Sequence, residues 1–415
     1  MFKPRWKKEA LGLLKGSKKF LHYKRDLLTQ NRIDEIESRR ADLKAAIKSK
    51  DLDAVKETSK QVHNTCEKSL AHYKAPTWLE ENIEVFWVAI VVALGIRAFF
   101  LQPFRIPTGS MQPSLNGIIA KVHDGEGEFE KPFIGKRALD FILEGKSYEN
   151  IVADKDLRIT GIKDSTWFLF SGTKIFFNDG SSVRIGCPVN EARGIYTIGR
   201  CFYPQRHPRG GELVDGIHFK KGDPIFQGSL TSGDLVLVDK VSYHFRNPKR
   251  GESFVFDTRG IQTKSPAEIR SDKKKGINHM SSQEGGTHYI KRLVAVPGDS
   301  IQIGSPDIYI NGALAQEETI QRVAKKGNDK KGRPYTGFQN APRGEPWNSP
   351  FSSREYSYTL KDTEDTNQRE FFAMGDNSPS SLDSRYWGTV KQHNLVGPAY
   401  FSLWPFTSGH WGFIK

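Results

Sequence analysis

Cysteine is scarce in this 415-residue chain: Cys66, Cys187 and Cys201 are its only three. No two of them have metal-site spacing, so a zinc-finger scaffold is excluded. Cys187 and Cys201 are near enough in sequence for one bridge outside a cell, or they stand as two free thiols. Fixed-period repeats are absent, which excludes a solenoid. Zinc-finger spacing and other recognition motifs for nucleic acid are also missing, so the formal charge of +14 reads as a solvated surface that suits anionic lipid. Long apolar runs are limited to one. With 37% hydrophobic residues the chain still has material for a core and for two to three domains, or one domain with large insertions.

The one membrane-grade run is Val85–Leu101, with a single charge, Arg97, near its end. It approaches the roughly 20 residues that cross a hydrocarbon layer. Arg97 can snorkel, and Trp87 and Phe104 suit interfacial belts. It starts too far from Met1 for a cleavable signal peptide. The other reading is a buried core helix. Residues 1–82 are rich in Lys and Arg, which favours a cytoplasmic N-terminus, although Glu80, Glu81 and Glu84 weaken that signal beside the run. Within this arm Ile33, Ile36, Leu43, Ala46 and Ile47 recur at helical spacing, which predicts one or two amphipathic helices. A basic, partly ordered tail is the alternative.

After Leu115 the texture becomes short β-like runs between Gly, Asn and Pro turns. Strands are predicted at 167–170, 174–177, 182–185, 234–241, 253–257, 288–296, 300–303, 307–310 and 370–374. Residues 262–286 and 322–352 read as surface insertions.

Two residues carry chemistry. Ser110 lies in Ile-Pro-Thr-Gly-Ser-Met-Gln-Pro, just past the apolar run. Lys291 lies in the strand-like Tyr-Ile-Lys-Arg-Leu-Val-Ala-Val. A serine hydroxyl needs a base. A lysine serves only when neutral, and desolvation on a buried strand lowers its pKa from about 10.4. Taken alone, the serine is an ordinary turn residue and the lysine an ordinary solvated one.

Context decides between these readings. Four blocks occur in order: Ile106–Leu115, Gly233–Lys240, Tyr289–Asp299 and Met374–Gly388. Together with the anchor exit Ile96–Phe104 they resemble the type I signal peptidases, the membrane-anchored Ser-Lys leader peptidases. The resemblance covers about a quarter of the chain. It implies a mostly β fold: a signal-peptidase-like catalytic domain (105–116 and 233–415) with an inserted β-rich subdomain (117–232). A transmembrane anchor (83–104) and a charged helical cytoplasmic arm (1–82) precede it.

By the same resemblance Ser110 matches the nucleophile and Lys291 the general base. Thr108 matches the oxyanion-hole hydroxyl, and Ser381 the serine that orients the lysine. Ile106, Pro107, Met111, Leu115, Tyr289 and Ile290 match positions lining the small substrate pockets. Gly375, Asn377, Asp383 and Arg385 match structural support, the last two as an ion pair. The implied reaction is acyl transfer, cleaving signal peptides from exported preproteins after Ala-X-Ala-like ends. No cofactor or metal is expected. Partners are signal peptides, the lipid bilayer and the secretion machinery, with no nucleic acid. The implied location is the cytoplasmic (inner) membrane, single-pass, with the catalytic domain outside.

The chain departs from the family pattern in its long arm and in the excursion between the first two blocks. Other readings are a self-cleaving repressor protease, against which the anchor and the fourth block argue, and a Ser-His-Asp signal peptidase, against which Lys291 argues. A catalytically inactive, membrane-anchored binding protein on the same scaffold predicts loss of Ser110 or Lys291, and both are present.

Overall fold

The structure is a computed structural model that describes residues 4–69, 78–123, 129–165, 172–195, 198, 218–261, 287–329, 331–344 and 348–414. The chain divides into two compact units, Met1–Val91 and Val92–Lys415.

In the first unit the described residues of the arm form three α-helices rather than one or two: α1 (Arg5–Lys24), α2 (Gln30–Ser49) and α3 (Leu52–Lys68). They share a core in which Leu43 and Val62 are completely buried. Lys50 ends α2 in a left-handed conformation (φ 60°). Asp51 then caps α3 by accepting the N–H groups of Asp53 and Ala54 at 3.0 and 3.2 Å. This tight turn and cap divide what hydrophobic spacing alone joins. Helix α4 (Trp78–Phe99) follows, and its stretch Asn82–Phe99 has a mean hydropathy of 1.8 with no residue buried. It is long and apolar enough to cross a membrane.

The sequence-based anchor boundary shifts. Leu101–Phe104 leave the helix and join strand β1 (Leu101–Arg105). Pro103 cannot continue a helix. The backbone finds its partner in β8 (Leu235–Asp239), with Leu101 opposite Asp239 and Phe104 opposite Val236.

The main sheet of the second unit runs β1, β8, β17 (Leu395–Trp404), β9 (Ser253–Asp257), β10 (His288–Ala295), β15 (Glu370–Met374) and β16 (Val390–Lys391), with β18 (Gly412–Phe413) beside β17. All the named pairings are antiparallel. A second sheet orders β13 (Ala313–Leu314), β12 (Asp307–Ile310), β11 (Ser300–Gly304) and β14 (Ser357–Thr359). The expected surface insertion at 322–352 is more than surface. It begins in a helix, Glu318–Ala324, and buries Tyr335, Phe338, Ala341 and Phe351 against this sheet. Its Gly- and Pro-rich composition hides apolar residues with no strand or helix period. Residues 262–286 and the strand expected at 167–170 lie outside the described residues.

Between Ile119 and Thr231 the described residues make two three-stranded sheets. One orders β2 (Ile119–Val122), β7 (Pro224–Thr231) and β3 (Lys146–Val152). The other orders β4 (Ile159–Asp164), β5 (Thr173–Phe177) and β6 (Ser182–Ile185). Asn178-Asp179-Gly180 joins β5 to β6, with Gly180 at φ 85°, where a side chain is strained. A common core includes Ile175, Ile185, Phe219 and Phe226. Cys187 belongs to that core as a free thiol, and burial, with the Glu191 and Glu149 carboxylates, pushes its pKa up to about 12. Cys201 is outside the described residues.

The two ends of this excursion meet. Asp234 N–H donates to the Asn116 carbonyl (2.9 Å), and Asn116 N–H to Asp234 Oδ2 (2.7 Å). Glycine permits the contact. A Cβ on Gly233 would lie 1.8 Å from the Ile106 oxygen, and one on Gly117 would lie 2.2 Å from the Thr108 carbonyl carbon.

Candidate active site

Strand β1 delivers the chain to a single 3₁₀ turn, Gly109–Met111, with Ser110 at its centre. Gln112 N–H closes the turn on the Gly109 carbonyl at 3.1 Å, and Met111 anchors it in a core of Leu115, Val236, Val238 and Val255. From the opposite side Asn377 pins both peptide groups. Its backbone N–H donates to the Ser110 carbonyl and its Nδ2 to the Gly109 carbonyl, each at 3.0 Å. The serine is therefore presented on a backbone held at three points.

Lys291 comes from β10, opposite Phe254 of β9. Its Nζ lies 2.6 Å from Ser110 Oγ, across 181 residues of sequence. Both groups are inside the protein, with Ser110 7% exposed and Lys291 4%. The Tyr289 ring centroid is 5.8 Å from Nζ. A short contact between an amine and a hydroxyl in a dry setting is the geometry a proton transfer needs.

Two buried ion pairs frame this contact. Asp383 and Arg385 form the pair expected from the sequence, with Arg385 Nε and Nη2 donating to the two carboxylate oxygens at 2.8 and 2.9 Å. Arg385 also holds the carbonyls of Ser378 and Gln339, each at 2.7 Å, and Asp383 accepts the Gly375 N–H at 3.0 Å. Burial works to raise the Asp383 pKa. The Arg385 guanidinium, the Gly375 N–H and the Lys291 charge outweigh it and hold the carboxyl below its ordinary value.

The second pair was not anticipated. Arg292 Nε and Nη2 reach Asp376 at 2.7 and 2.5 Å, and Arg292 Nη1 reaches the Gly251 carbonyl at 2.6 Å. Burial disfavours the Arg292 charge, but Asp376 raises its pKa on balance. Ser114, four residues past Ser110, donates to Asp376 and meets Tyr335 at 2.9 Å. Arg292 and Asp376 each adjoin an expected residue, and that adjacency was the only available signal. A pairing across 84 positions leaves no local pattern.

The other expected residues fall into three groups. Ser381 is buried close to Ser110: a Cβ placed on Gly375 would sit 2.2 Å from Ser381 Oγ and 2.4 Å from the Ser110 carbonyl oxygen. The expected hydrogen bond to Lys291 is not formed, because Ser381 Oγ has no hydrogen-bond partner among the described residues. Thr108 is exposed at the mouth of the serine turn, where its side chain makes no capping bond. Of the six positions expected to line pockets, Ile106, Met111 and Leu115 are packed into the core, whereas Pro107, Tyr289 and Ile290 keep part of their surface open. A polar cleft of about 560 Å³ lined by residues such as Asn340, Arg343 and Glu355 includes none of the expected site residues. Among the described residues, no group of three or more His, Cys, Asp or Glu is placed to hold a metal ion.

Residues 226–404 match the family model described as signal peptidase, peptidase S26. This stretch contains Lys291, both ion pairs and Ser381, but not Ser110. A signal peptidase I of Leptolyngbya laminosa is 27% identical over 177 residues, covering 43% of this chain and 63% of that protein. A signal peptidase I of Rickettsia conorii is 30% identical over 194 residues, covering 44% of this chain and 61% of that one. The chain thus spans less than two thirds of the length of both relatives. A solved signal peptidase I from Enterococcus faecalis V583 is 20% identical, covers 37% of this chain and 97% of that one, and has a TM-score of 0.20.

Proposed function

We propose that this chain, whose residues 226–404 match the signal peptidase family model, is a membrane-bound serine endopeptidase of the type I class. It removes N-terminal signal peptides from exported preproteins by a Ser110–Lys291 dyad. The observation that carries the reading is the 2.6 Å contact between Lys291 Nζ and Ser110 Oγ inside the protein.

In this reading neutral Lys291 takes the Ser110 proton as Oγ attacks the scissile carbonyl. The Ser110 backbone N–H and the Thr108 hydroxyl receive the developing oxyanion, for which one donor typically contributes about 10²–10³ in rate. The lysine then protonates the departing amine. Water, activated by the same amine, hydrolyses the ester and restores the serine. Asp383 supplies a negative charge toward the ammonium that exists between these transfers. Ser381, whose hydroxyl is unpartnered in the resting arrangement, supplies a hydrogen bond to one state of the lysine. An extended Ala-X-Ala-like segment pairs along the exposed parts of Pro107, Tyr289 and Ile290.

Helix α4 is the single-pass anchor in the cytoplasmic membrane. Residues 1–82 are the cytoplasmic arm, and the catalytic domain, 105–116 with 233–415, lies on the extracytoplasmic side. Residues 117–232 are an inserted subdomain at its rim, supported by the meeting of Asn116 and Asp234. Signal peptides, the bilayer and the secretion machinery are its partners.

The test is cleavage of a preprotein ending its signal peptide in Ala-X-Ala, by the full chain in detergent and by Ser110→Ala and Lys291→Ala. Each substitution is expected to remove about 10⁴-fold or more of the rate, with both together costing no more than one alone. Undiminished cleavage by either variant sinks the dyad.

A further inference from the structure

Helix α5 (Ile134–Glu144) has no buried residue along its length. At 3.6 residues per turn its apolar side chains, Ile134, Ala138, Leu139, Phe141, Ile142 and Leu143, occupy one broad arc. Lys136, Arg137, Asp140 and Glu144 occupy the other. The apolar arc is open: Ile134 is 80% exposed, and Leu139 and Ile142 are each 56% exposed. Asp140 is engaged by the Tyr148 hydroxyl at 2.7 Å, while Lys131, Lys136 and Arg137 stay on the exposed surface. A soluble protein rarely leaves such a strip uncovered.

The C-terminal end of α5 is tied to the end of β17 and to the segment that follows it. Trp404 Nε1 donates to the Ile142 carbonyl at 2.7 Å, and Thr407 N–H donates to the Leu143 carbonyl at 3.2 Å. The segment after β17, through β18, carries its own exposed aromatic group, with Phe406 50%, Trp411 54% and Phe413 66% exposed. Arg105, the last residue of β1, sits over the Trp404 ring at 5.2 Å. Arg105 is six positions past Phe99, the end of the apolar helix, so the Arg105 backbone that abuts this α5-bearing corner lies within about 20 Å of that helix end.

We propose that α5 lies flat on the same bilayer that α4 crosses, as an interfacial helix with Ile134, Leu139 and Ile142 toward the acyl chains and Lys131, Lys136 and Arg137 toward anionic headgroups. The proposal rests on the anchor reading of α4. The tether holds the strip beside a membrane, and the neighbouring tryptophan and phenylalanines are the residue types that favour the headgroup level. A protein partner would need neither the short tether nor this aromatic margin. A helix so placed fixes the tilt of the catalytic sheet over the membrane and brings residues 117–232 into that task.

Depth-dependent quenching tests it on the full chain. Single cysteines replace Leu139, Ile142, Arg137 and Glu144 in turn, with Val91→Cys in α4 as the anchor reference. Cys66 and Cys201 are changed to serine, and the buried Cys187 is retained. Each variant is labelled with an environment-sensitive fluorophore and reconstituted into phosphatidylcholine–phosphatidylglycerol vesicles containing acyl-chain-brominated lipid. Labels at 139 and 142 are expected to be quenched about threefold more than those at 137 and 144, as for a face buried roughly 5–10 Å into the interface. Equal quenching at these four sites, with the label at 91 quenched, overturns the proposal and leaves the anchor standing. Loss of quenching at 91 overturns the anchor reading itself.

Discussion

The surroundings of Ser110 and the stretch from Ile119 to Thr231 bury side chains to similar depth and hold them by different forces. Around Ser110 the interior is polar: Lys291, Arg292, Asp376, Ser381, Asp383 and Arg385 are each no more than 4% exposed. From Ile119 to Thr231 the interior is Ile175, Ile185, Phe219, Phe226 and their apolar neighbours. Apolar packing tolerates many arrangements of similar energy. A buried charge tolerates only the arrangement that supplies its partner, and removing that partner leaves a penalty that packing does not repair. The polar interior therefore costs stability if disturbed and holds close polar contacts such as the 2.6 Å one between Lys291 Nζ and Ser110 Oγ.

Breaking the polar side has the largest expected effect. Asp376→Ala leaves Arg292 buried without its carboxylate and should cost about 3–5 kcal/mol in chemical denaturation. Arg292→Met together with Asp376→Leu should recover much of that stability, since the pair as a whole can be replaced by apolar groups. If the single variant is as stable as the parent, the polar interior is not what holds this region. Acid sharpens the same point. The folded-state pKa of Asp383 lies below its unfolded value of about 3.9, so its contribution is complete above that pH and is lost as pH falls through the folded-state value. Asp383→Asn should therefore flatten the acid limb of a stability profile measured from pH 5 downward.

A smaller, more local effect is expected at Gly375. Alanine there meets both Ser381 Oγ and the Ser110 carbonyl. Gly375→Ala should lower kcat by about 10²-fold through misplacement of the serine, with KM for a short Ala-X-Ala peptide little changed. A kcat within twofold of the parent would show that the turn absorbs the collision. The smallest effect on chemistry is expected from the apolar side. Ile175→Ala should cost about 2–5 kcal/mol locally, seen as faster amide exchange in β4 to β6. Cleavage of the short peptide should stay within about twofold, because sites without shared partners act independently.

The same division explains what could be read from the sequence. Strands with alternating or β-branched residues stand where the pattern puts them: 182–185, 253–257, 307–310 and 370–374 agree end to end. Strand β17 was not legible. Gly397 and Pro398 interrupt it, yet Gly397 is there because a Cβ would lie 1.9 Å from the Asp239 oxygen of the neighbouring strand. Strand β7 begins at Pro224 and holds Gly228 at φ 158°, which masks its period in the same way. Lys291 and Ser110 were legible as residues through their motif blocks. Asn377 was legible only as a structural position. Its grip on the two carbonyls of the serine turn depends on a contact between residues 268 apart in sequence, and one sequence carries no trace of that.

The meeting of Asn116 with Asp234 has a consequence for how the chain folds. Strand β1 pairs with β8 only after the intervening residues 106–234, most of them in the excursion, have been gathered in. As a flexible coil those residues would impose a closure entropy that grows with the logarithm of their number. If they first collapse around Ile175 and Phe219, the gap left to close is a few residues wide, and the entropy of closure falls by about 3 kcal/mol. The order of events would then run from the excursion to the sheet. The serine turn, which hangs between β1 and Asn116, would be among the last parts of the molecule to take shape.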